Sequence, residues 1–308
     1  MNALKMAPPY CLVQCRHGWM LANVNDIYMG AALVTYGECN EMELAVLLAL
    51  AQNPGLVVEV GANMGIHTVP LAQALRGQGR QLVAFEPQPV VFQQLCANLA
   101  LNSLMNVTAW PYACGEKKGV VTFPRPDYLK AGNFGGVSMS PAFPAAGDAC
   151  VQVPCVRLDE VVESERVGLL KVDVEGFELR VLKGSRALIR RSRPLLYVEN
   201  DRADNSQELI EWLWAAGYNL WWHTPPLFNP HNFFGVVHNL YGGIASFNML
   251  GVPREVKLTV PAHLVRVEDS SYHPLRPPPP PAGGPSVNSK IEIQASTPDP
   301  RNGAAAAR

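Results

Sequence analysis

Between residues 56 and 223, short and nearly continuous apolar runs alternate with stretches of helical periodicity, and this alternation constrains the fold more than any other feature. Leu56-Val-Val-Glu-Val60, Gln81 to Glu86, Val107 to Ala113, Val167 to Val174, Pro194 to Glu199 and Tyr218 to His223 read as strands. His67 to Arg76, Val90 to Leu101, Glu178 to Ser192 and Ser206 to Ala216 read as helices between them. Strands without polar alternation must be covered on both faces. The pattern therefore specifies an α/β fold, a mostly parallel sheet with helices on both sides. Ligands of such sheets bind at the carboxyl ends of the strands, near the point where strand order reverses. The residues just after each strand carry the functional information.

The flanks read differently. Residues 1–40 hold scattered apolar positions and are expected to cap the cleft of a domain spanning 41–265. From about 115 to 160 the rhythm breaks into a β insertion, with extended pieces at Gly119–Pro124 and Cys150–Arg157 around the glycine-rich Asn133-Phe-Gly-Gly-Val-Ser138. Residues 266–308 are expected to form a disordered tail, because nine of the 27 prolines fall in the last 35 residues and little there can bury apolar area. Its five consecutive prolines, Pro277 to Pro281, offer an extended helix to a proline-binding partner; an inert tail is the alternative.

Charge and composition exclude several classes. The 25 Lys+Arg and 26 Asp+Glu leave a net charge of −1, which provides no basic field for nucleic acid phosphates. With 48% apolar and 17% charged residues the chain is not wholly disordered. No run approaches the roughly 20 apolar residues of a membrane span, and the N-terminus lacks the apolar block of a signal peptide. A soluble, cytoplasmic protein is expected. The seven cysteines form no CxxC pair and lie near no histidine at zinc-finger spacing, so they are expected to be reduced thiols, with no metal bound.

Three strand ends carry chemistry. The first runs Glu59-Val-Gly-Ala-Asn-Met-Gly65 into a helix; its glycines permit a tight turn and close backbone approach, and free amides at the helix start favour a negative group. GxNxG departs from the GxGxxG dinucleotide fingerprint, and alone it also fits a plain strand-to-helix turn. The second ends in Phe85-Glu86-Pro87, where Glu86 is placed to accept both hydroxyls of a ribose, unless it is a solvated loop carboxylate. The third is Lys171-Val-Asp-Val-Glu-Gly-Phe-Glu178. Asp173 and Glu175 can share one side of an extended run, while Glu178 falls in the first turn of the next helix, as a cap or a site residue. Carboxylates so close repel one another unless a ligand or a cation holds them.

Taken together, VVEVGANMGIHT, AFEP, NFGGVS and LLKVDVEGFELRVLKG resemble, in order and spacing, the FkbM family of S-adenosylmethionine-dependent methyltransferases, over about residues 35–255. The resemblance implies a Rossmann-like class I methyltransferase fold, a seven-stranded sheet closed by an antiparallel strand at Ser246–Leu250. It implies S-adenosyl-L-methionine as cofactor, its amino acid part held by Glu59, Gly61, Ala62, Asn63 and Gly65 with Thr68, its ribose by Glu86 and its adenine by Ala113 and Cys114. Asp173 and Glu175 would face the methyl-transfer cleft. The family pattern often has Asp at the position of Glu59, which keeps the carboxylate and moves it by one methylene.

An acceptor hydroxyl must lose a proton, and Asp173, Glu175, Glu199 and His223 are the candidate acceptors, Asp173 ranked first. Tyr218 to Phe234 interleaves aromatics with amides and histidines, which suits a sugar or fills a core. The expected activity is O-methylation, of a sugar hydroxyl on a glycan or glycosylated metabolite. Two competitors remain: an NAD-dependent oxidoreductase, against which stand the incomplete glycine fingerprint and the lack of a Tyr-x-x-x-Lys pair, and a non-catalytic module that binds the cofactor or a partner.

Overall fold

The computed structural model describes residues 3–5, 7–137, 149–162 and 166–276. The chain divides into a unit of residues 1–276 and a unit of residues 277–308. The second unit, with its five prolines, and Ser138 of the glycine-rich stretch lie outside the described residues.

The first 50 residues form β1 (Ala3–Lys5), β2 (Tyr10–Cys15) and β3 (Gly18–Asn23), an antiparallel three-stranded sheet, followed by α1 (Met29–Tyr36) and α2 (Glu41–Leu50). Gly37 ends α1 in the left-handed conformation, its N–H donating to the Leu33 carbonyl. The alternating region then gives β4 (Leu56–Val60), α3 (Thr68–Arg76), β5 (Leu82–Phe85), α4 (Pro89–Leu101) and β6 (Val107–Trp110). Proline at the start of α4 sits where its missing N–H costs nothing. The third strand was expected to reach Ala113, but Pro111 has no N–H to extend the ladder and β6 stops at Trp110.

Ala113–Cys114 instead becomes β7 of the insertion, which pairs with β9 (Cys150–Val156), itself paired with β8 (Gly119–Pro124). After α5 (Leu158–Val161) come β10 (Val167–Val172), α6 (Glu178–Lys183), α7 (Arg186–Ser192), β11 (Leu195–Glu199), α8 (Ala203–Ala215) and β12 (Tyr218–His223). The single helix expected over 178–192 is two. A Cβ at Gly184 would lie 2.0 Å from the Gly115 carbonyl oxygen, and Asp159 accepts the amides of Ala187 and Leu188 to start α7 afresh.

The closing strand β13 runs Asn248–Pro253, later than the expected Ser246–Leu250, and is antiparallel to both β11 and β12. A two-residue β14 (Val265–Arg266) pairs with β12, so the sheet has eight strands, one more than expected, in the order β14-β12-β13-β11-β10-β4-β5-β6. The fold is α/β, a mostly parallel sheet with helices on both faces. The first unit also continues past the expected tail boundary at 265, because His273 is buried with Nε2 2.8 Å from the Asn200 carbonyl oxygen. No helix among the described residues is long and apolar enough to cross a membrane.

Strand alternation splits the core between the two faces. Val58, Val60, Leu170, Val172, Leu196 and Val198 point to the face covered by α6, α7, α8 and the insertion. Val57, Leu169 and Leu195 point to the face covered by α1 to α4 and the N-terminal sheet. Each such fully buried side chain contributes roughly 1.5–3 kcal/mol. The same alternation places Glu59, Lys171 and Tyr197 side by side on β4, β10 and β11, a polar row inside the second core. Strand order reverses between β4 and β10, and the candidate site lies at their carboxyl ends.

Candidate active site

The turn after β4 fixes the site's floor. Gly61 has φ +86°, and a Cβ there would lie 1.7 Å from the Asp173 carbonyl oxygen, so the close approach of the two strand ends admits only glycine. The amides of Gly61 and Ala62 both donate to the Phe85 carbonyl at 2.9 Å. The next amide, of Asn63, donates to Glu86 Oε2 at 2.9 Å, and the Gln88 amide donates to Glu86 Oε1 at 2.8 Å. Glu86 is thus a buried carboxyl held by two backbone amides, and burial pushes it up to about 7. Each of its oxygens keeps a lone pair for a ligand hydroxyl.

Around this turn lies a first cavity of about 640 Å³, its open mouth included, lined by Gly61, Ala62, Asn63, Ile66, His67, Glu86 and Gln88. The insertion supplies the opposite wall through Phe123, Gly135 and Val137. Gln88 ties the two walls together: its Nε2 donates to the Phe134 carbonyl and its Oε1 accepts from the Tyr128 hydroxyl. Apolar side chains, a doubly held carboxylate and a glycine turn fit a nucleoside with a charged appendage, which is the chemistry of S-adenosylmethionine.

From the wall, where Lys171 and Asp173 stand, a charged cluster runs back into the core. Lys171 Nζ lies 2.9 Å from Asp173 Oδ2 and 3.7 Å from Glu59 Oε1, and Thr68 Oγ1 donates to Glu59 Oε2 at 2.7 Å. Burial alone would lower Lys171, but the surrounding charges of Asp173, Glu59 and Glu43 outweigh it and hold the ammonium above its usual value. Burial would likewise raise Asp173; the Lys171 ammonium outweighs that and holds the carboxyl below its usual range. Glu59, Gly65 and Thr68, expected to hold the cofactor directly, are not among the residues lining the cavity. Glu59 and Thr68 instead brace Lys171 from behind.

A second cavity, about 1070 Å³ on the same measure, adjoins the first and shares Met29, Asn40, Gly135, Asp173 and Glu175 with it. Glu43, Glu199, Asp201, Arg202, Asn133 and Leu227 complete much of its wall, together with Tyr241 and residues 244–248. Glu175 has φ +55° and is ion-paired with Arg202; burial, with the charge of Asp173 added, pushes it up to about 8. Burial first, then Asp173, holds Glu199 well above the usual carboxylate range. Glu178 accepts the amides of Val174 and Gly176 and caps the turn rather than lining this cavity. Glu175, Glu199 and Asp201 present carboxylate oxygens within 4.8 Å of one another, a grouping with the spacing of hard-cation ligands.

The structure brings Asp173, Glu175 and Glu199 together and leaves His223 out. Its Nδ1 lies 2.7 Å from the Tyr197 hydroxyl within the core, and it lines neither cavity. Ala113 and Cys114, expected at the adenine, are 1% exposed and pack into the core, because the strand they were assigned to had ended; Phe123 and Val137 stand in the wall instead. The aromatic stretch 218–234 mostly fills cores: Tyr218 and Trp222 are buried in one and Phe234 packs against another. Lys171, His67, Glu43, Asp201 and Arg202 were not singled out from the sequence. Lys171 reads there as one residue of an apolar strand, and Asp201–Arg202 follow directly on the strand tip at Glu199. Nothing in the pattern marks Glu43.

Residues 59–220, just over half of the chain, match the family model of the methyltransferase FkbM domain. Methyltransferase sdnD of Sordaria araneosa is 32% identical over 166 residues, which cover 44% of this chain and 61% of that protein. Hexuronic acid methyltransferase AglP of Haloferax volcanii is 29% identical over 144 residues, 46% of this chain and 54% of that protein. The chain thus spans less than two thirds of the length of these relatives. Among solved structures, methyltransferase FkbM from Methylobacillus flagellatus KT superposes with a TM-score of 0.44 at 16% identity, over 65% of this chain and 44% of that one. The chain belongs to the FkbM methyltransferase family, whose cofactor is S-adenosyl-L-methionine.

Proposed function

We propose that the protein transfers a methyl group from S-adenosylmethionine to a sugar hydroxyl of a glycan or glycosylated metabolite. The observation that carries the reading is the junction of two cavities at Asp173 and Glu175, one fitted to a nucleoside and the other open to a polar acceptor. The likeness to a hexuronic acid methyltransferase supports the substrate class. The cofactor supplies an electrophilic methyl group on a sulfonium. The chain's own residues do the rest: Glu86 holds the ribose, and the second cavity seats the acceptor in line. Asp173, kept ionised by Lys171 at 2.9 Å, accepts the hydroxyl's hydrogen bond and then its proton. Glu175 and Glu199 flank that hydroxyl. We place the protein in the cytoplasm, with no nucleic acid partner.

The test is calorimetric titration with S-adenosylmethionine, S-adenosylhomocysteine and NAD, followed by incubation with S-adenosylmethionine and a panel of methyl glycosides. Binding of both sulfur nucleosides and a glycoside gaining one methyl ether are expected. Tight NAD binding without either sulfur nucleoside would sink the reading in favour of an oxidoreductase. Cofactor binding with no transfer to any hydroxyl would leave a binding module.

A further inference from the structure

The second cavity is unbalanced in both charge and hydrogen bonds. Its wall carries five carboxyl groups, Glu43, Asp173, Glu175, Glu199 and Asp201, against one cation among the described residues, Arg202. That cation is already committed to Glu175 and to Asp201, the latter at 3.0 Å, and Asp173 is engaged by Lys171. Three buried carboxyl oxygens make no hydrogen bond, Glu43 Oε1, Glu199 Oε2 and Asp201 Oδ1, against one unpaired donor in the same wall, Asn248 Nδ2; His67 Nε2 stands 4.0 Å from Glu43 Oε1, beyond hydrogen-bond reach. Glu43 is independent of the acidic strand ends. It comes from α2, outside the matched family region, and is 2% exposed. A buried acceptor without a donor costs roughly 1–3 kcal/mol, more when charged, so three in one wall call for a ligand that brings donors.

We propose that this cavity takes an acceptor bearing an ammonium group, so that the methylated hydroxyl belongs to an amino sugar or a similar aminated polyol and not to a uronic acid. The proposal rests on the reading of the protein as a sugar methyltransferase and narrows it. An ammonium offers three N–H donors and a positive charge, a hydroxyl one donor and no charge, and a carboxylate no donor and a further negative charge. Burial already pushes Glu43 up to about 7 and Glu175 up to about 8, and an anionic acceptor would add to that strain. A divalent metal ion shares the cationic chemistry. Arg202, however, already holds two of the three carboxylates such an ion would need, which favours a donor group over a bare ion.

The experiment uses the full chain saturated with S-adenosylhomocysteine, whose binding is measured first by calorimetry. Methyl glycosides of glucosamine, glucose and glucuronate, their galacto counterparts, and magnesium chloride are then titrated separately. The amino glycosides should bind at least about tenfold more tightly than the neutral ones, which corresponds to about 1.4 kcal/mol, with the uronates weakest. Glu43→Gln and Asp201→Asn should each shrink that preference while S-adenosylhomocysteine still binds; Glu199→Gln serves as the second isosteric variant if either fails to fold. Equal affinities, a uronate preference, or no glycoside binding overturns the proposal. So does stoichiometric magnesium binding that displaces or replaces the amine. Failure to bind S-adenosylhomocysteine would strike the methyltransferase reading itself and is read separately, before any glycoside is added.

Discussion

The two halves of the site are built in opposite ways. The first cavity is assembled mainly from consecutive strand ends and their turns, with backbone amides as the organising groups: Asn63 and Gln88 hold Glu86, and Gly61 lets β4 and β10 close on each other. The second cavity joins the strand ends at Asp173 and Glu199 to side chains far away in sequence, with Met29, Asn40 and Glu43 on one side and Tyr241 and residues 244–248 on the other. A backbone-built cradle depends on glycine and chain path, so it tolerates little change. A cavity built from side chains can change its lining without changing the fold. The comparison implies that mutations on the first side remove binding or fold, while mutations on the second alter rate and choice of acceptor.

The largest effect expected is at Gly61. Gly61→Ala adds left-handed strain and a backbone clash, each costing about 1–3 kcal/mol. It should abolish S-adenosylmethionine binding in calorimetry and lower the melting temperature sharply. A stable variant that binds normally would break the claim that the backbone sets this side. On the shared wall, Asp173→Asn should keep the fold and most cofactor affinity while turnover falls about 10²–10⁴-fold. Lost affinity with surviving turnover at saturating cofactor would move Asp173 into the cradle. Glu86→Ala should weaken cofactor binding about ten- to a hundredfold, the worth of a charge-assisted hydrogen bond of roughly 1.5–3 kcal/mol. Unchanged affinity would remove Glu86 from the ribose.

A smaller effect separates the two sides by pH. Glu43, Glu86 and Glu178 are pushed up to about 7 and Glu175 to about 8, each mainly by burial. A carboxyl whose folded value is raised binds its proton more tightly in the folded state. Its stabilising contribution is full below the ordinary carboxylate range and is lost as pH rises through the folded value. The ligand-free protein should therefore melt at progressively lower temperature between about pH 5 and 8. Glu86→Gln should flatten part of that slope. A melting temperature that rises with pH over the window contradicts the assignment. The smallest effect expected is from removing residues 277–308, whose proline-rich composition offers little apolar area to bury; melting temperature and cofactor affinity should not change measurably. Cutting before Val265 should destabilise, because it removes β14 and the buried His273.

The same contrast explains what the sequence revealed. Glu86, Gly61 and Asp173 were legible as neighbours around one cavity because parallel strands all end at the same edge of the sheet, so position along the chain predicts position in space. Ala113 and Cys114 were misplaced because a single proline ended β6 early and handed them to the insertion sheet. Glu59 and Thr68 were read as holding the cofactor and not as the brace of Lys171, since a lysine within an apolar strand shows its partners only once the neighbouring strands are paired. Glu43 was illegible: α2 has no motif, and only folding brings its first turn to the strand ends. Local pattern sets the scaffold and the first cavity. Long-range contact completes the second.

The most direct test of the two-cavity account is a crystal structure of the protein with S-adenosylhomocysteine bound. The account expects the ribose hydroxyls on Glu86, the adenine against Phe123 and Val137, and the sulfur facing the opening at Asp173 and Glu175. A nucleoside bound away from Glu86, or a sulfur turned from that opening, would contradict it.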